Sequence, residues 1–146
     1  MRRDFLQPAS WTLKIVAAVF WLHVASVVFY VDVPNLRANA PPQYRDAPAD
    51  WGTPAYYQRV WWRVAKTALM VALVLIPNRV LVSSKVVFAF ALLASLIPWH
   101  VILQKWFGGA GLSNWLFLGV VTLGALPASI TLSYLRFQRG ERVTYA

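Results

Sequence analysis

The chain has 146 residues, 59% hydrophobic and only 13% charged, with 8 Trp, 6 Tyr, 8 Phe, a mean hydropathy of +0.52 and a formal charge of +9. A soluble domain carries roughly 25% charged residues, so this composition belongs to the membrane class; zero cysteines exclude disulfides, thiolate metal sites, iron–sulfur clusters and a cysteine nucleophile. The basic residues sit beside apolar runs instead of lining one long helix that could track a phosphate backbone, so anionic lipid headgroups are their nearest counter-charge and nucleic acid is not a partner.

The amino-terminal MRRDFLQPAS leads through Lys14 into an apolar run from Ile15 to Val31. Arg2-Arg3 followed by Phe5-Leu6 has the form of a twin-arginine export signal, and Ala38-Asn39-Ala40 has the small-x-small form of a cleavage site. The run is too long and too aromatic for the core of a cleaved signal, and Pro41 would directly follow the cut. A retained first helix over residues 12–31, with its arginines as topology anchors, is therefore expected.

Residues 32–58 hold five of the nine prolines and three of the five acidic residues. Proline fixes φ and removes a donor, so this stretch is expected as a loop and as the one sizeable extramembrane piece. Its Trp51, Tyr56 and Tyr57 offer aromatic surface to headgroups or to a partner.

A second helix is expected over residues 59–77, ended by Pro77-Asn78-Arg79. Arg59, Arg63 and Lys66 fall within about 60° of one another on it and form a cationic stripe, flanked by Trp61 and Trp62. This stripe is the candidate surface for lipid or for an acidic partner. Lys66 lies roughly 10 Å along the helix from Arg59, where its ammonium must snorkel outward or meet a buried acceptor.

Residues 86–104 carry no charge and, at about 1.5 Å per residue, cover the hydrocarbon thickness of a bilayer. Lys85 and Lys105-Trp106 fence this third helix with interfacial residues, and the short NRVLVSSK connection makes it an antiparallel hairpin with the second. After Gly108-Gly109-Ala110-Gly111 a fourth helix is expected over residues 114–135. Gly124 and Ala128 recur at a spacing of four on it, as do Ala125, Ser129 and Ser133, the pattern of a close-packing face. Pro98 and Pro127 should bend the third and fourth helices.

The expected fold is all-α: a polytopic four-transmembrane-helix bundle forming a single membrane domain with one Pro-rich extramembrane loop. With a cytoplasmic amino terminus, eight Lys and Arg residues (2, 3, 14, 79, 85, 136, 139 and 142) lie inside against six (37, 45, 59, 63, 66 and 105) outside. That bias favours both termini in the cytoplasm, in a bacterial inner membrane.

All five carboxylates, Asp4, Asp32, Asp46, Asp50 and Glu141, fall outside the expected spans, so no membrane carboxylate is placed to carry a proton or bind a cation. His23 and His100 lie on the first and third helices at depths about one turn apart, which loosely permits a haem b or other tetrapyrrole held between two imidazoles. Two ligands alone are too few for a copper or zinc site. The Gly-rich loop lacks the Lys-Ser/Thr of a phosphate loop and no serine sits in a G-x-S-x-G elbow, so no enzyme is expected. The leading expectation is a small non-catalytic accessory or assembly subunit of a larger membrane complex without a cofactor of its own. It would pack through the small-residue face and dock through the 32–58 loop and the cationic stripe onto anionic lipids and other integral membrane subunits. The alternatives are a haem- or pigment-binding electron-transfer or light-harvesting component, and a small transporter or channel.

Overall fold

The computed structural model describes residues 6–32, 52–107 and 112–140, and the fold is all-helical, with no strand among the described residues. The helices are α1 (Leu6–Val27), continued by a π-helical turn (Val28–Asp32), α2 (Pro54–Leu75), the single turn α3 (Asn78–Leu81), α4 (Lys85–Leu96), a 3-10 turn (Ile97–Trp99), α5 (His100–Phe107) and α6 (Leu112–Gln138). Among the described residues, three stretches are long and apolar enough to cross a membrane: Gln7–Tyr30, Lys85–Gln104 and Gly119–Gln138. The α2 helix is as long as α1 at 22 residues, but Arg59, Arg63 and Lys66 leave it outside that set.

Several expected boundaries are corrected, each for a local reason. The first helix begins at Leu6 instead of residue 12; Pro8 is tolerated because first-turn N–H groups have no intrahelical acceptor to lose. The second begins at Pro54, within what reads as loop: Thr53 is its N-cap, accepting from the Tyr56 amide at 3.3 Å, and Pro54 takes the first helical position. Asp32, at the other edge of that loop, belongs to the π-helical turn. The remainder, residues 33–51, lies outside the described residues, as do the Gly108–Gly111 loop and the basic tail after residue 140. The third helix is interrupted at Pro98. Proline has no N–H for the Ala94 carbonyl, which accepts instead from the Ile97 amide, and the chain passes through a 3-10 turn before α5. The fourth runs on to Gln138 and stays helical through Pro127.

Antiparallel packing follows from which residues meet. At one end, here the base, Ser10 of α1 touches Ser129 and Ser133 of α6, and Phe88 of α4 stacks on Tyr134 of α6 with ring centroids 3.9 Å apart. At the far end Asp32 meets Arg63 of α2, and Trp62 of α2 lies against His100 of α5. The α6 helix is central: 39% of its apolar span is buried, against 17% for each of the other two. The core joins Ala17 and Trp21 of α1, Met70 and Leu73 of α2, Ala91 of α4, and Leu126 and Ile130 of α6. The outward surface is apolar too, with Ile15, Val19 and Leu22 exposed on α1 and Val86, Phe90 and Leu93 exposed on α4. Helices apolar on both sides are built for lipid.

Space at the small-residue face can be tested directly. A Cβ on Gly124 would sit 3.5 Å from Cζ2 of Trp99, an ordinary contact. Gly124→Ala should leave the melting temperature in detergent nearly unchanged, whereas Gly124→Leu drives three further carbons toward the indole and should cost about 1–3 kcal/mol, read as a lower midpoint by circular dichroism.

Candidate functional site

The densest polar cluster among the described residues lies at the base, between α1, α3 and α6. Asn78, the first residue of α3, is fully buried and donates through Nδ2 to the Ser129 carbonyl (3.3 Å), the Ser129 hydroxyl (2.9 Å) and the Ser133 hydroxyl (2.9 Å). Ser10 lies 2.8 Å from the Ser133 hydroxyl, and Ser129 donates to the Ser10 carbonyl at 2.8 Å. Lys14 completes the cluster by donating from Nζ to the Ile76 carbonyl at 2.6 Å and to Asn78 Oδ1. One turn further out, Arg136 is buried and its Nη2 donates to Gln7 Oε1 at 3.3 Å.

Local sequence explains why Lys14 is needed there. Pro77 forces Ile76 into extended backbone, which stops α2 and leaves the Ile76 carbonyl without a helical donor. Lysine at a helix C-terminus both caps such a carbonyl and opposes the negative end of the helix dipole, worth typically 0.3–1 kcal/mol and up to about 2 where partly buried. Here the cap comes from another helix 62 residues earlier in the chain.

The small-residue stripe is consumed by this cluster. Ala125, Ser129 and Ser133 are buried against α1 and α3, with Gly124 and Ala128 half-buried beside them, so this face of α6 closes the bundle from within.

The cationic stripe is placed otherwise. Arg59, Trp61, Trp62 and Arg63 are exposed along the far half of α2, and Lys66 is half-buried behind them. Arg63 reaches across to Asp32, with Nη1 3.1 and 3.2 Å from the two carboxylate oxygens; its own side chain is 58% exposed and that of Asp32 only 6%. Asp32 is the one carboxylate among the described residues, and from its sequence neighbours alone it is expected only in a loop. One residue after Lys66, the Thr67 hydroxyl is buried without a hydrogen-bond partner, as is the Trp99 indole nitrogen.

The two histidines are set apart. His23 is exposed on the outward side of α1; the hydroxyl of Ser26, a partner its spacing suggests, donates instead to the Leu22 carbonyl at 3.0 Å. His100 is half-buried against Trp62, and its Nδ1 lies 2.8 Å from the Ile97 carbonyl. A carbonyl only accepts, so Nδ1 is the donor in this bond, and Nε2 is the ring nitrogen it leaves unengaged. No hydrogen bond or ring contact joins His23 to His100, and no group of three or more metal-ligating residues occurs among the described residues.

The chain matches no protein family, and no curated protein and no solved structure is significantly similar to it.

Removing the Asn78 amide leaves Ser133 and the Ser129 hydroxyl short of a donor and Lys14 short of an acceptor. Asn78→Ala should destabilise the protein by roughly 1–3 kcal/mol, and in a double-mutant cycle with Lys14→Met the two losses should be less than additive because the residues share one bond. Thermal unfolding of the four proteins in one detergent checks both points.

Proposed function

We propose that this chain is a non-catalytic subunit of a larger integral membrane complex, and that the exposed face of α2 is where a neighbouring subunit docks. The observation that carries the proposal is the character of α2. It has the length to cross a bilayer, it packs against α1 and α4 as a member of the bundle, and yet its outward face shows Arg59, Arg63 and two tryptophans. Basic side chains are costly against lipid and are found where protein or water covers them. In this reading α2 is a fourth span, both termini are cytoplasmic, the membrane is a bacterial inner membrane, and the covering protein presents acidic or amide groups to the stripe.

Because Ala125, Ser129 and Ser133 are already occupied within the chain, partner contact falls to α2. The only described carboxylate is engaged with Arg63, which suits a docking role better than proton transfer. A second reading, a tetrapyrrole on His100, is favoured by one feature: a ring held by Nδ1 on a carbonyl presents Nε2 as a metal ligand. A second axial ligand would have to come from His23 or from a partner.

Extraction of tagged chain from its native membranes in mild detergent, followed by size exclusion with full-spectrum absorbance, should give a particle well above the chain plus its micelle. The double substitution Arg59→Gln with Lys66→Gln spares the Asp32–Arg63 pair and should release the chain from that particle, more completely as ionic strength rises. A monomer-sized colourless peak for the unaltered chain would sink both readings. A visible band lost in His100→Ala would favour the second.

A further inference from the structure

The Lys14 ammonium sits about 10 Å along the first span from Gln7, and among the described residues it has no anionic partner: both of its hydrogen bonds go to neutral oxygens. The dipole of α2 offers it about half an elementary charge at most. Its side chain also forms part of the wall of an open groove of about 260 Å³ between α1 and the end of α2. The rest of that wall is hydrocarbon from Ile15, Ala18, Val74, Leu75 and Pro77, with the indole of Trp11 beside it. Around the same end Arg79, Lys85 and Arg139 are exposed, whereas the one described carboxylate lies at the far end of the bundle. An apolar trough with a cation at its polar end and an aromatic ring alongside has the chemistry of a phospholipid: acyl chain along the trough, phosphate at the ammonium.

We propose that the Trp11–Lys14–Leu75 groove is a specific site for one anionic phospholipid, whose phosphate completes the charge balance of Lys14. The site is independent of the partner-docking reading, since it lies at the opposite end of α2 from Arg59 and Arg63. Its occupant is a lipid and not a free anion because a small anion would leave the apolar wall wet.

Native mass spectrometry of the full chain, released from detergent containing equal amounts of phosphatidylglycerol and phosphatidylcholine with matched acyl chains, tests the site. One phosphatidylglycerol should be retained about fivefold over phosphatidylcholine, the preference expected for one added lysine contact. Lys14→Gln should bring the two lipids to parity. Because that substitution also loosens the base of the bundle, Ile15→Trp provides a second arm: it fills the trough from an exposed position, leaves Lys14 intact, and should lower phosphatidylglycerol retention with helicity unchanged. Millimolar inorganic phosphate should displace none of the lipid. Equal retention of both lipids by the unaltered chain, a preference that survives Ile15→Trp, or displacement by inorganic phosphate would each overturn the proposal.

Discussion

The interaction on which the arrangement depends is the reach of Lys14 to the broken end of α2. A chain that turns round in or near lipid has to satisfy the carbonyls that its last helical turn leaves open, and Pro77 makes this turn abrupt. Lys14 closes it from α1, and the same ammonium holds Asn78, which in turn is pinned between the hydroxyls of α6. Three segments far apart in sequence are thereby fixed in one register. Interhelical hydrogen bonds in membranes average only about 0.6 kcal/mol each, so the strength of the cluster lies in its connectedness: no member can leave without stranding another.

The far end of α2 is held by a different kind of contact. There the π-helical turn after α1 brings Asp32 back toward the bundle, where both of its carboxylate oxygens accept from the one Nη1 of Arg63. With Arg63 mostly exposed, the pair itself contributes little. The asymmetry of burial matters more, because a nearly buried carboxylate stripped of its partner would be left uncompensated. Between them, the lysine cap at the base and the ion pair at the far end fasten both ends of α2 to α1. This is how a helix with three basic residues among its first thirteen can belong to a bundle whose other long helices are nearly free of charge.

The all-helical class and the three apolar spans were legible because they depend on composition and run length, which are local quantities. Element ends were less so. Thr53-Pro54 is an ordinary helix start, but four prolines and three aspartates in the stretch before it point to a loop, and the bend expected at Pro98 takes the form of a 3-10 turn within the span Lys85–Gln104. The base cluster was not legible at all. Lys14 reads as a topology anchor and Asn78 as a terminator when each is seen beside its sequence neighbours, and Ser10 is 119 residues from Ser129. The spacing of Ala125, Ser129 and Ser133 did announce a close-packing face, but spacing alone does not say whether the facing helix belongs to the same chain. One signal does lie in the sequence: Lys14 is the only ionisable group between Gln7 and Trp21, embedded in an apolar run with no acid nearby.

That observation generalises. The chain carries +9, and the described part has a single carboxylate, already matched to Arg63. Cations kept near or within the hydrocarbon without internal counter-charge are unfavourable for an isolated molecule, and more so the lower the local dielectric. The two ends differ in the surroundings they give their cations. At the base the uncompensated cation lines a trough of hydrocarbon, which fits a molecule that is itself half hydrocarbon. At the far end Arg59 and Arg63 stand on a helix face among the exposed indoles of Trp61 and Trp62, the setting in which a docking face for protein is proposed. On the two proposals made above, the shape of the apolar ground around each charge, more than the charge itself, is what would separate a lipid site from a docking face.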